Sequence, residues 1–363
     1  MQYNISNSII SRGSQLKNEK NYTFFYDETN NIRKFFLKDN KFNTEKDDNW
    51  VLGGIYYDTN NKKDFEELFS SLNLHKNIQD VKFKHIASGD MPEILNSDKL
   101  KKVLEWCLDN VYLHYINVDI WYWSVCDIVD SVKCDLRNTH NRRIKDIFYK
   151  VINNDKWYFV SFLNKYNYPN INRKNIYDFK MGIKRILREN LKLLSDEEQN
   201  ILNKFLKAFL KEEQFEFITN EKERVLIQDF MPFYAKRIHN FKESIHILDE
   251  ELLIKDKIVI FNNDYLSGIQ YSFVKSQQMK EIQLSDIIVG FLGKYFTYIR
   301  KNSIESIQRD SYKFFNLHEN NIYLLNKLIS KSVKLTPYSI ENITSDTDIG
   351  KSCALLQGEW TVS

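Results

Sequence analysis

Hydrophobic and polar positions change rhythm three times along this chain. The runs "YTFFYDE", "IRKFFLKD" and "NWVLGGIYYD" are short, aromatic and β-branched, and predict three strands; Thr-Asn-Asn separates the first two in the manner of a β-meander. In "KDFEELFSSLNL" the apolar Phe65, Leu68, Phe69 and Leu72 fall at helical spacing, and "SDKLKKVLEWCLDN" repeats the pattern after a Ser-Asp start that can cap. Between these helices "DVKFKHI" alternates like a strand, and after them "VYLHYINVDIWYW" reads as one long strand. From about Ser131 to Lys242 the rhythm becomes that of long amphipathic helices, as in "RRIKDIFYKVI", "DFKMGIKRILRENLKLL" and "DEEQNILNKFLKAFLKEEQFEFI". Strand character returns in "SIHILDEEL". An apolar helix is then predicted from near Ser285 in "LSDIIVGFLGKYFTYI", with one more helix over "NNIYLLNKLISKSV" and a weakly amphipathic tail.

The pattern predicts an α/β protein split by a helical block. A lead-in (1–20) precedes a first core segment (21–130), then come the insertion (131–243), a second core segment (244–300), and a C-terminal helix and tail (301–363). With 42% hydrophobic residues the 363-residue chain can bury a real core, and its few Gly (10) and Pro (4) argue against a loop-dominated fold. The 52 basic and 49 acidic residues leave a net charge of only +3, so a polyanion-binding surface would have to be local. Cys107, Cys126, Cys134 and Cys353 have neither CxxC spacing nor a compact disulfide framework. No apolar run reaches membrane-spanning length and no leader pattern opens the chain, which predicts a cytoplasmic protein without a membrane partner.

Acids stand at the ends of these elements. Asp27 and Glu28 end the first aromatic strand, Asp80 opens "DVKFKH", Asp249 and Glu250 end "SIHILDEE", and Asp286 falls in the first turn of the apolar helix. Taken singly, each is explained by solvation, capping or the helix dipole. Strands that end on one edge of a sheet would gather them, however, and gathered carboxylates repel unless hard cations such as Mg²⁺ or Mn²⁺ neutralise them. Two such ions can activate water and stabilise a departing oxygen in phosphodiester cleavage. Gly290 and Gly293 lie on the same helical face as Asp286, where they admit either a close backbone neighbour or tight helix-to-sheet packing.

"FFYDETNN", "DVKFKH" and "SFVKSQQMKEIQLSDIIVGFL" together resemble the DUF3800 family. Its members carry an N-terminal Asp-Glu-Ser-Gly, a central Glu-hydrophobic-Lys, and a late Ser followed by Gln-Leu-Ala-Asp-Leu-hydrophobic-Ala-Gly. The resemblance implies an RNase H-like mixed sheet flanked by helices, with acids for two metals. It matches Asp27 and Glu28 to the first motif, Asp80 and Lys82 to the second, and Ser276, Gln283 and Asp286 to the third, with Asp249 as the fourth-strand acid. Thr29-Asn30 stands in place of Ser-Gly, Asp80 in place of Glu and Ser285 in place of Ala. Members are often found near mobile elements and antiphage genes, which implies nuclease-like chemistry and a partner from a defence operon.

Basic residues concentrate in the insertion. Lys180, Lys184, Arg188 and Lys192 recur every four residues, "RNTHNRRIKD" supplies Arg137, Arg142, Arg143 and Lys145, and "YAKRIHNFK" adds Lys236, Arg237 and Lys242. Such stretches either coat solvated helices or track a phosphate backbone. "DIWYWSV" could stack bases, although a core role explains it more simply. His85 and His246 lie near two of the acids. No HExxH, P-loop, GxGxxG or GxSxG motif is present. The expectation is a two-metal nuclease with Asp27, Asp80, Asp249 and Asp286 as metal ligands, Glu28 and Glu250 as supporting acids, and Lys82, Arg142, Arg143, Lys180, Lys184, Arg188 and Lys192 on DNA or RNA. The alternatives are a non-catalytic nucleic-acid-binding or effector-assembly protein that keeps the fold, and a metal-free carboxylate-pair hydrolase such as a glycosidase.

Overall fold

The computed structural model describes residues 19–29, 32–44, 49–61, 63–75, 77–132, 138–219, 221–251, 254–255, 257–258, 266–316 and 321–356. Asn30, Cys134, Arg137 and most of the lead-in, together with the last seven residues of the tail, lie outside them. The strands are β1 (Tyr22–Glu28), β2 (Phe35–Lys38), β3 (Lys41–Phe42), β4 (Asn49–Asp58), β5 (Tyr112–Asp119), β6 (Val225–Ile227), β7 (Ile245–Asp249), β8 (Gln270–Val274) and β9 (Ile340–Ile343). The helices used below are α1 (Phe65–Ser71), α2 (Met91–Leu95), α3 (Asp98–Asn110), α4 (Ile120–Asp130), α5 (Asn138–Asn154), α6 (Lys156–Lys165), α7 (Ile176–Glu189), α8 (Asp196–Lys211) and α9 (Met231–Asn240), then α10 (Lys280–Lys301), α11 (Ile304–Asn316), α12 (Asn321–Leu335) and α13 (Asp346–Leu356).

Six strands form one mixed sheet in the order β8-β7-β1-β4-β5-β9. The chain lays down β1, β4 and β5 as an antiparallel meander, then adds β7 and β8 in parallel beside β1, and β9 in parallel beside β5. Only β4 runs against the rest. The meander therefore skips β2, which pairs instead with β3 and β6 in a small second sheet. The sheet is the middle layer of a sandwich, which is why β1 is apolar at nearly every position instead of alternating. Phe24 and Tyr26 join a core with residues of α4 through α9, whereas Phe25 joins a core with residues of α1–α3 and α10–α13. The helical block predicted as an insertion thus covers one face of the sheet, and it contains one short strand, β6.

Three other expectations need correction. The long strand "VYLHYINVDIWYW" ends at Asp119, whose side chain accepts the Tyr122 backbone N–H at 2.9 Å and starts α4; Trp121 and Tyr122 are core residues of a helix. "DVKFKHI" is not a strand but an extended stretch leading into a 3-10 turn (Phe83–His85). The apolar helix begins at Lys280, five residues before the predicted start, so Asp286 sits in its second turn and gains nothing from a first-turn dipole position. The strands β3, β8 and β9 and the helices α2, α11 and α13 were not foreseen, so the segment after residue 300 holds three helices and a strand where one helix and a tail were expected.

Candidate active site

Asp27 is the sixth residue of β1 and shares the face of Phe25, the face that α10 covers. In the parallel pairing of β1 with β7, Tyr26 stands opposite Leu248, which brings Asp27 beside Asp249 at the carboxyl ends of both strands. α10 completes the arrangement by crossing β1 and β4. A Cβ on Gly54 would come within 2.4 Å of both Ser285 Oγ and Phe25 O, so glycine in β4 is what lets the helix lie this close. Ser285, at the position where the resembled motif has Ala, is accommodated because its hydroxyl donates to Glu281 O at 2.9 Å.

The helix also holds the segment that carries Asp80 and Lys82. Gln283 Oε1 accepts the Val81 N–H at 3.1 Å, its Nε2 donates to Ser276 O at 2.9 Å, and Asp286 Oδ1 accepts the Phe83 N–H at 2.7 Å. Phe83 packs over Gly290 and Thr29 over Gly293, where a Cβ would meet them at 2.5 and 3.0 Å. Both glycines thus admit a neighbour that belongs to the site. So clamped, Lys82 points its ammonium into the acids, 3.1 Å from Asp286 Oδ2, 3.8 Å from Asp27 Oδ2 and 3.9 Å from Asp80 Oδ2.

Asp27 is 5% exposed, its Oδ1 accepts the Glu28 N–H at 2.7 Å, and its Oδ2 is buried without a hydrogen-bond partner. Burial, reinforced by the charges of Glu28, Asp286 and Asp249 against the opposing Lys82, pushes the Asp27 carboxyl well above the ordinary range. Burial raises Asp286 and Asp249 too, with Lys82 opposing in both. Although burial pulls the Lys82 ammonium down, Asp27 and Asp286 outweigh it and leave it raised. Among the described residues, no three acidic, histidine or cysteine side chains are gathered closely enough to hold a metal ion, and a lysine ammonium bridges the acids instead.

Glu28 points the other way. It shares the face of Tyr26 and accepts the Tyr234 hydroxyl from α9 at 2.9 Å; burial pushes its carboxyl up to about 7 against that hydrogen bond. Glu250 is partly exposed and pairs with Lys255 at 2.9 Å. His246 is fully buried between the Tyr26 hydroxyl and Phe241 O, and His85 Nδ1 accepts the Lys82 N–H, so both histidines have structural partners. Tyr234 was not picked out from the sequence, where nothing distinguishes it from twenty other tyrosines.

The basic candidates divide. Arg142 pairs with Asp346 at 2.9 Å and Arg143 with Glu197 at 3.1 Å, while Lys180 donates to the carbonyls of Leu210 and Glu212. Lys184 and Arg188 instead line an open groove with Asn200, Asn203, Lys204 and Lys207 of α8, and Lys192 is exposed just beyond α7. Cys107, Cys126 and Cys353 are free thiols, and no described helix is long and apolar enough to cross a membrane. Comparison with family models, curated proteins and solved structures found no match, so the site is interpreted from its own residues.

Proposed function

We propose that the Asp27, Asp249 and Asp286 cluster is the cleavage site of a metal-dependent nuclease built on an RNase H-like sheet. The observation that carries this is the convergence of acids from two adjacent parallel strand ends and one helix, with Asp27 Oδ2 buried without a hydrogen bond and faced by the Lys82 ammonium at 3.8 Å. The strand order supports the same reading: a three-strand antiparallel meander extended on the β1 side by two parallel strands, with Asp27 and Asp249 near the carboxyl ends of β1 and β7.

The donor set matches a hard divalent cation in kind, since every candidate ligand is a carboxylate oxygen. With Lys82 seated among them, however, no three of the described acids are close enough to share an ion, so binding would require the ammonium to withdraw and the acids to draw together. Asp27, Asp249 and Asp286 would hold Mg²⁺ or Mn²⁺, with Asp80 at the edge through an Oδ1 that also lacks a partner. Such an ion supplies Lewis acidity toward phosphate and activates water. The chain's own residues do the rest. Lys82, on a long stem and 27% exposed, neutralises the acids in the absence of a cation and can turn toward a phosphate oxygen. Gln283 fixes the backbone that presents it, while Glu28, turned to the opposite face and held by Tyr234, supports β1 from behind without reaching the cluster.

Incubation with end-labelled DNA, RNA and an RNA–DNA hybrid in Mg²⁺ or Mn²⁺ tests the proposal. Cleavage abolished by EDTA and by Asp286→Asn supports it, and cleavage that survives EDTA removes the metal from the account. One observation favours a second reading: Lys82 already balances the acids from within, as suits a protein that keeps this fold to bind nucleic acid or assemble with a defence partner without cutting. Binding without cleavage in every metal would select it.

A further inference from the structure

Four of the six large hydrophobic side chains exposed among the described residues lie on two neighbouring helices: Trp157 and Tyr158 on α6, Tyr177 and Met181 on α7. Tyr177 is 71% exposed although α7 has an apolar face of its own, with Phe179, Ile183, Ile186 and Leu187 buried. Along the outer face of α7, Tyr177, Met181 and Arg185 follow at intervals of four, and Arg185 Nη2 donates to the Tyr158 hydroxyl at 2.8 Å, joining the aromatic residues of both helices.

This aromatic strip continues into a basic groove. Lys184 and Arg188, on the same helix, face Asn200, Asn203, Lys204 and Lys207 of α8 across an open space of about 520 Å³. The groove has no acidic lining residue. Among the described residues, none of its four cations is in an ion pair, in contrast to Arg142 and Arg143. Unpaired cations and amides suit phosphate oxygens. Exposed aromatic rings add something a duplex cannot use, because its bases are already stacked on one another; unpaired bases can lie on them.

We propose that α6–α8 form a platform for single-stranded nucleic acid, with phosphates along Lys184, Arg188, Lys204 and Lys207 and bases on Tyr177 and Tyr158. That this strand is the substrate of the acid cluster rests on the nuclease reading; the binding itself does not. The test is fluorescence anisotropy of the full-length protein in EDTA, with labelled single-stranded DNA and RNA oligonucleotides and the matching duplex. The variants are Tyr158→Ala/Tyr177→Ala and Lys204→Ala/Lys207→Ala, with circular dichroism to check their folding.

The wild type is expected to prefer single strands. The tyrosine pair should weaken single-strand binding by about tenfold or more while leaving duplex binding unchanged. The lysine pair should reduce the slope of log affinity against log salt by about 1.4, since each phosphate contact contributes roughly 0.7. Preference for duplex, absence of salt-dependent binding, or folded variants that bind like wild type would overturn the proposal. If the platform variants bind normally while Asp27→Asn still abolishes cutting, the platform fails and the nuclease stands. If binding follows the expected pattern and no metal produces cutting, the platform stands and the nuclease reading fails.

Discussion

Asp27 and Lys82 are the two residues on which the reading turns, and each makes a different demand on the fold. An acid held above its ordinary titration range is most comfortable protonated, so ionising it in the folded state costs stability. Glu28 gives the clearest window: its contribution is fully present below its unfolded value near 4.5 and is lost as pH rises through about 7. Asp27, Asp249 and Asp286 are raised in the same sense. In EDTA the melting temperature should therefore fall between pH 5 and pH 8, and Asp27→Asn should raise it at pH 8 by about 2–4 °C. A melting temperature that is flat or rising over this range would show that the acids are not buried together. Tyr234→Phe removes the hydrogen bond that stabilises ionised Glu28, so it should cost about 1–2 kcal/mol in denaturant titrations at pH 8 and less at pH 5. Lys82→Met should destabilise the metal-free protein by ~1–3 kcal/mol, because it leaves three carboxylates without their shared counter-charge. The same substitution should tighten Mn²⁺ binding, measured by calorimetry, since the ammonium no longer competes for the acids.

At the scale of elements, the acids at strand ends were legible because an abrupt Asp after a run of strand-forming residues is visible in the sequence, aromatic before Asp27 and aliphatic before Asp249. The start of α10 was not. Its first turn, Lys-Glu-Ile-Gln, follows Met279, which makes no side-chain cap, while Ser285 inside the helix looks like a cap. The break at Asp119 did carry a signal, an N-capping aspartate, but the aromatic run on both sides of it hid the change of period. The shape of residues 80–86 was beyond local reading, because Gln283 and Asp286 fix it from about two hundred positions away. The same geometry makes Gly290 a sensitive position: Gly290→Val would drive a side chain into Phe83 and push the Lys82 segment off the helix. We expect cleavage to fall at least tenfold with the sheet intact by circular dichroism, since misplacing a positioning segment by about 1 Å can cost about a hundredfold.

For the whole molecule, the two faces of the sheet carry different features. One face, with α10, carries the acids and their lysine, and the other supports the helical block whose outer surface offers the aromatic strip and the basic groove. A net charge of only +3 leaves any phosphate-binding surface to be local, and the groove gathers four cations without ion pairs among the described residues, while Arg142, Arg143 and Lys180 are held by partners. The β-order that unites Asp27 with Asp249 comes from pairing across more than two hundred residues, so the sequence could suggest the acids but not their meeting.

The decisive measurement is the cleavage rate of wild-type protein and Asp27→Asn, side by side, on labelled single- and double-stranded DNA, RNA and hybrid, in Mg²⁺, in Mn²⁺ and in EDTA. Cutting by the wild type that requires metal and drops by about a thousandfold or more in Asp27→Asn is the predicted result. A folded Asp27→Asn protein that cuts as fast as wild type, or a wild type that cuts nothing in either metal, would contradict it.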